Sequence, residues 1–301
     1  VIKYWVKEGV TSLKSERIKE EKKKFKEGEA FGYPSLEQWK AEKDELSSYL
    51  IFTITDENGE FVRELRSGLS KGLGKITWDM QYPSTFSVSA GDASESKGLS
   101  SSGVEVVPGM YKVSMSKNVK GVITDLAGPV EIEIKSLNNL SLPAKDRNEL
   151  VAFKKKGIEL NGAIGSVSTA LRDMQQKIAP WKAASKVLRG QAAIDLLTDL
   201  KVLEDKLDDV QLMMNGDRDL GSLDMDADVS LRSHAGGALF VLFGNFSGIP
   251  GSAKQQYEIA NKMFTPIYDK TKALMKEFDA MDKKMGDIGA PLTPGRLVDW
   301  K

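Results

Sequence analysis

The sequence contains no cysteine and a single histidine, His234. The first absence excludes disulfides, thiolate nucleophiles and cysteine metal sites. The second excludes multi-histidine metal sites and leaves one imidazole for any Ser-His chemistry. Net charge is missing as well: 43 Lys and Arg are met by 43 Asp and Glu, so no overall field draws the chain to nucleic acid or to an anionic membrane. Long apolar runs are absent; the longest candidate, Gly237 to Phe246, is interrupted by Gly244 and falls far short of the ~20 residues a membrane span needs. No phosphate-binding loop occurs. What is present, 41% apolar and 29% charged positions over 301 residues, suffices for a sizeable core and about two domains. The opening Val-Ile-Lys-Tyr-Trp-Val reads as a strand already under way, from which we expect a piece of a longer protein.

The apolar period changes along the chain. Up to about Asn138 it alternates, and from Ala144 it follows helical spacing, so a boundary is expected near Pro143, dividing the chain into 1–140 and 141–301. In the first half, Tyr49 to Thr55, the turn Asp56-Glu57-Asn58-Gly59 and Glu60 to Arg66 predict a hairpin, because Asn-Gly tolerates the positive φ of a tight turn. Lys75 to Asp79 predicts a third strand after a bend at Gly72 to Gly74. Met110 to Ser116 predicts another, followed by a turn at Lys117-Asn118, a strand over Val119 to Thr124 and a further one over Pro129 to Lys135. The Ser- and Gly-rich residues from Ser84 to Gly103 predict a loop. Between Val10 and Ser48 an insertion rich in Glu, Lys and Arg predicts two short helices, the second opening at Pro34-Ser35. Its Lys22-Lys23-Lys24 run is surrounded by Glu16, Glu20, Glu21, Glu27 and Glu29 and reads as a solvated helix face.

The second half carries three long three-four stripes. Leu150 to Ile178 is expected to stop at Pro180, Ala193 to Met214 to stop at Asn215-Gly216, and Tyr257 to Ile288 to kink at Pro266. Leu231 to Phe243 predicts a shorter helix. Stripes of this kind pack at shallow angles, so the fold class expected is an antiparallel β-sandwich followed by an antiparallel α-helical bundle of three long helices and one short one. Gly157, Gly162 and Gly165 are expected to admit close backbone approach.

Candidate chemistry is sparse. Asp56, Glu57 and Asp79 sit at turns and strand ends, where acids are common for local reasons, although a glycoside hydrolase would need two carboxylates about 5 to 10 Å apart. The most metal-like stretch, Asp217-Arg218-Asp219 with Asp224, Asp226 and Asp228, fails as a calcium loop, since counting from Asp224 puts Val229 and Ala235 where Gly and Glu belong. It reads as an acidic connector that caps a helix. Among the large aromatics outside the stripes, Trp5, Tyr33, Trp39, Tyr82, Phe86, Trp181 and Trp300, the ligand or interface candidates are Trp39, Tyr82 and Trp181; Trp78 reads as core. No catalytic residue, cofactor or metal ligand is assigned.

Three ordered segments carry a resemblance: Ile54-Thr55-Asp56-Glu57-Asn58-Gly59-Glu60-Phe61-Val62-Arg63, Gly74-Lys75-Ile76-Thr77-Trp78-Asp79-Met80, and Pro108-Gly109-Met110-Tyr111-Lys112-Val113. Together they resemble the immunoglobulin-like module of flagellar-hook-cap-type proteins. Followed by a helical region, the chain resembles the C-terminal part of bacterial sortilin-like, BNR-repeat β-propeller proteins labelled glycosyl hydrolases. That resemblance implies a non-catalytic accessory region in a secreted or cell-envelope protein, with an upstream propeller of the same chain as partner and any sugar chemistry located there. A carbohydrate-binding sandwich, with a glycan as ligand, is the alternative, and part of a hydrolase whose active site lies mainly upstream is another. No Asp-box repeat of the Ser-x-Asp-x-Gly-x-x-Trp kind occurs in these residues.

Overall fold

The computed structural model describes residues 1–83, 102–137, 144–223, 225–226 and 228–296. It is a mixed α/β structure with antiparallel sheets, and its described residues fall into two compact units, one up to residue 137 and one from residue 144. Most of the expected loop from Ser84 to Gly103, together with Pro143, Phe86, Asp224 and Trp300, lies outside the described residues.

The first unit holds β1 (Ile2–Val6), α1 (Leu13–Lys26), α2 (Leu36–Asp44), β2 (Tyr49–Asp56), β3 (Phe61–Gly68), β4 (Gly72–Ile76), β5 (Gln81–Pro83), β6 (Ser102–Glu105), β7 (Gly109–Val119) and β8 (Val122–Ile134). One sheet runs β3-β2-β7-β8, and β1-β4 and β5-β6 form two-stranded sheets. Alternation on β2 turns Leu50, Phe52 and Ile54 to one side, where they share a core with Val6, Val62, Trp78, Tyr111 and Val113. Trp78 meets Tyr111 edge-on at 5.4 Å, and Tyr4 meets Phe52 at 4.9 Å.

Four local expectations need correction. The glycines at 72–74 lie inside β4 instead of bending ahead of it, because Gly74 pairs with Tyr4 and a Cβ there would stand 2.3 Å from the Tyr4 ring. The phenol takes the room the glycine leaves and reaches Ser67 Oγ at 2.9 Å. Lys117-Asn118 is strand; the turn falls at Lys120-Gly121, which adopt φ of 52° and 90°, and Asn118 Oδ1 accepts the Gly121 N–H. The two strands expected after it are one, since bulges between Val113 and Ser116 absorb the Gly128-Pro129 irregularity and let β8 run on as an edge strand. Ser102 and Gly103, expected in the loop, belong to β6.

The second unit contains α3 (Arg147–Ser185), α4 (Gln191–Asn215), α5 (Arg218–Ser222), α6 (Leu231–Leu242) and α7 (Gly251–Asp287). The buried residues of α4, Leu196, Leu200, Leu203, Leu207, Val210 and Met214, step by alternating fours and threes. The same period governs Ile164, Val167, Leu171, Met174, Ile178 and Trp181 on α3, and Ile267, Thr271, Leu274, Phe278, Met281 and Met285 on α7. Polar cross-links repeat at the same interval. Asp199 meets Lys284, Lys206 meets Glu277 at 2.6 Å and Met213 meets Lys270 at 3.4 Å, so each seven residues forward on α4 are seven backward on α7. Lys182–Glu204 and Gln175–Gln211 set α3 against α4 in the same antiparallel sense.

The short helix completes this pattern. Asn161 of α3 reaches the Ala235 carbonyl and Ser168 receives Arg232, so α6 also runs antiparallel to α3, continuing where α4 stops. With 25 and 12 residues, α4 and α6 together match the 37 of α7 and approach the 39 of α3. They are one leg, interrupted by residues 216–230. Of the glycines expected to admit close approach, Gly157 does so, where an added Cβ would stand 2.9 Å from Leu239 Cδ2, and Gly165 faces open space.

Pro180 does not stop α3, which continues to Ser185. A mid-helix proline costs about 3 kcal/mol through its missing N–H and its clash with the preceding turn. Beyond it Trp181 and Ala184 keep the buried seam, and Trp181 packs on Phe278 at 5.4 Å. Fully burying a large apolar side chain contributes a comparable amount, about 1.5–3 kcal/mol, so the helix gains by continuing.

Leu207 is completely buried between the legs, whereas Val202 on the same helix is 48% exposed. Leu207→Ala is expected to lower the unfolding free energy of the second unit by about 3 kcal/mol, and Val202→Ala by less than about 0.5 kcal/mol, in urea denaturation followed by circular dichroism.

Candidate functional site

Of the acids singled out in the sequence, Asp56, Asp79 and Asp217 are committed to local structure. Asp56 Oδ1 accepts the N–H groups of Asn58 and Glu60, both at 2.9 Å, and so holds the β2–β3 turn. Asp79 Oδ1 accepts from Gln81 N, and its other oxygen lies 3.9 Å from the guanidinium of Arg63, a buried side chain that also donates to the Tyr82 carbonyl. The Glu57 carbonyl receives Lys112 Nζ. His234 sits on α6 with Nδ1 against Gln256 Oε1 of α7, a helix-to-helix contact. Asp217 caps α5 by accepting from Asp219 N and Leu220 N. Among the described residues no group of three or more His, Asp or Glu side chains is placed to hold a metal, and no helix is long and apolar enough to cross a membrane.

The three aromatic candidates separate sharply. Trp181 is 2% exposed inside the second unit and presents no face to a ligand or partner, which corrects the expectation; a position just past a proline hid the fact that it continues the α3 stripe. Tyr82 is half-buried against the core of the first unit, where burial, and secondarily Asp56, raise its pKa. Trp39 is 51% exposed on α2, with the Lys43 ammonium 5.5 Å above its ring.

Trp39 belongs to a wider arrangement. The α1–α2 insertion buries none of its helical residues, and it exposes Phe25, Phe31, Tyr33, Leu36 and Trp39. With no core of its own, it is held by polar contacts. Arg17 of α1 grips both oxygens of Glu42 on α2, at 2.5 and 2.9 Å, and also reaches Glu21. The hydrogen bonds from Arg17 draw the Glu42 pKa below the usual carboxylate range, and Glu42 and Glu21 in turn raise that of Arg17. Glu45 accepts the Leu13 N–H and lies 3.9 Å from Lys120 at the β7–β8 turn. Ser12 and Ser35 cap the two helices, the latter in a reciprocal capping box with Gln38.

A second exposed feature escaped the sequence reading. Between edge strands β1 and β8 an apolar groove of about 290 Å³ is lined by Tyr4, Trp5, Phe52, Met115, Val130 and Ile132. Val130 pairs with buried Val113 yet is 61% exposed, because no described residue covers β8 there. Ile132 and Ile134, on the same face of β8, are half-buried against the core of the first unit, so the exposure is at Val130.

A scan of protein-family models, a search of curated proteins and a search of solved structures each found no match to this chain.

Two titrations follow from these contacts. Because its folded pKa is depressed, Glu42 stabilises the insertion above the ordinary carboxylate pKa and loses that effect as pH falls through its folded value. Protection of the α1–α2 amides is therefore expected to drop in acid, with Glu42→Gln showing low protection already at neutral pH and little further change; hydrogen exchange by mass spectrometry reads both. Tyr111 donates to the Val107 carbonyl at 2.6 Å, and burial, aided by Tyr82, Asp56 and Glu57, pushes its pKa from 10.0 to about 12. Its contribution is complete below the unfolded value and is lost as pH rises towards the folded one. Tyr111→Phe is expected to cost about 1 kcal/mol at neutral pH and to flatten the alkaline limb of the stability curve.

Proposed function

We propose that the first unit is an immunoglobulin-like antiparallel β-sandwich with a helical insertion, that the second is an antiparallel α-helical bundle, and that together they form a non-catalytic accessory and interaction region. The parent is read as an exported, carbohydrate-related bacterial protein of the secreted or cell-envelope kind, with an upstream β-propeller as the partner. The carrying observation is the insertion: a helix pair that buries nothing, is fixed by the Arg17–Glu42 clamp, and holds Phe25, Phe31, Tyr33 and Trp39 in solvent. Exposed aromatics on an ordered element suit a surface that another protein covers, since large rings gain most from leaving water. The carboxylates of Asp56 and Asp79 fit the same reading, because each holds backbone N–H groups of its own turn.

The experiment compares the chain alone with the chain extended by the residues encoded ahead of Val1. Propeller repeats in that extension and a slowing of amide exchange across 13–44 by about tenfold or more are expected. An initiator Met directly ahead of Val1, or unchanged exchange, overturns the reading. Purified chain is also expected to leave aryl glycosides intact. Glycan retention abolished by Trp39→Ala would instead favour a carbohydrate-binding sandwich, for which the exposed Trp39 ring is the relevant feature.

A further inference from the structure

The interruption between α4 and α6 leaves a cavity of about 430 Å³ against the middle of α3. Its wall carries two arginines. Arg172 and Arg232 line it, and among the described residues no carboxylate does. In a chain with equal numbers of acids and bases this is a local excess of positive charge. Among the described residues Arg17, Arg63 and Arg66 each face a carboxylate within 4 Å, and Arg172 and Arg232, like Arg189 and Arg296, have no such partner. Arg232 is instead steadied by Ser168 Oγ, and Arg172 stands one turn beyond Ser168 on the same face of α3.

The remaining lining supplies neutral hydrogen-bonding groups. Gln175, Gln211 and Asn215 bring three amides, with the two glutamines only 3.5 Å apart at a weak mutual contact. Ser230 and Ser233 bring hydroxyls at 3.0 Å from each other. Guanidinium groups bind oxyanions through paired N–H donors, and amides and hydroxyls suit sugar-type hydroxyl groups. The space exceeds what a bare phosphate or carboxylate fills.

We propose that this cavity binds a small oxyanion carried on a hydroxyl-rich molecule, of the size of a sugar phosphate or a uronic acid. The site lies in the second unit and does not rest on the functional reading of the helical insertion. Asp217, Asp219, Asp226 and Asp228 lie on the interrupting segment outside the lining, and Asp217 already accepts two backbone N–H groups. These acids are the internal competitors for the two arginines.

Calorimetric titration of the full chain with glucose 6-phosphate, glucuronate, inorganic phosphate and glucose tests the proposal. At least one of the two anionic sugars is expected to bind more tightly than inorganic phosphate, with glucose not binding; which one binds separates a phosphate from a carboxylate source. Arg172→Gln and Arg232→Gln are each expected to weaken binding about tenfold, with Arg→Lys at either position falling between, since lysine keeps the charge and loses the fork. Amide resonances of 168–175, 211–215 and 230–233 are expected to shift on titration, a readout that needs no variant. Absence of binding by both anionic sugars overturns the proposal, as the interrupting acids would then satisfy the arginines. Equal binding by inorganic phosphate overturns it too, as does unchanged affinity in the double Arg→Gln variant.

Discussion

The seven-residue register between helices is the constraint on which the second unit depends. Buried positions on α3, α4 and α7 alternate threes and fours, a period of 3.5 that keeps one stripe facing its neighbours only if the helices lie at shallow angles. Once that geometry is set, the flanking positions recur at the same interval, so Asp199–Lys284 and Lys206–Glu277 stand in matching places one heptad apart. Exposed pairs of this kind contribute little energy individually. Their value lies in register, because a slip by one position would set Leu200 or Phe278 against solvent.

Interruption is tolerated where every leg yields at the same level. Continuing the α4–α7 register beyond Met213–Lys270 brings Pro266 opposite the point where α4 has ended. There α7 loses a backbone donor, and α3 carries Gly162 and Gly165, with Ser166, Ser168 and Thr169 turning their hydroxyls back onto their own helix. A break in one leg beside two rigid ones would strain them. Three weak points side by side give a level at which α4 can leave and α6 can resume, and the polar cavity is the space between them.

Much of this was legible in the sequence, and the exceptions are instructive. Stripes of apolar residues disclosed α3, α4, α6 and α7, and Asn58-Gly59 disclosed the β2–β3 hairpin, because in these cases local periodicity and tertiary packing ask for the same thing. They diverge at Pro180, where the burial of Trp181 outweighs a local breaker, and at Gly74, where a ring from another strand needs the missing Cβ. The joint identity of α4 and α6 was hidden for a different reason. It is a statement about which segment follows which along α3, and only contacts such as Asn161–Ala235 express it. The Arg17–Glu42 clamp was equally invisible, since a separation of 25 positions between its partners leaves no periodic trace.

The first unit uses its aromatic residues in two opposed ways, and the contrast bears on what the insertion is for. Tyr4, Phe52, Trp78 and Tyr111 turn inward and pair ring to ring, so the sheets draw their cohesion from them. Phe25, Tyr33 and Trp39 do the reverse on elements with no buried helical residue. A helix pair of 14 and 9 residues without a core does not persist in water by propensity alone, because nucleation is costly and short helices are marginal. Its order is supplied by caps, by Arg17 and by Glu45, all of them polar. Ordering a segment by polar contacts while leaving its rings in solvent gives up the cheaper solution of turning them inward. That choice is coherent when the rings are reserved for a surface outside the unit.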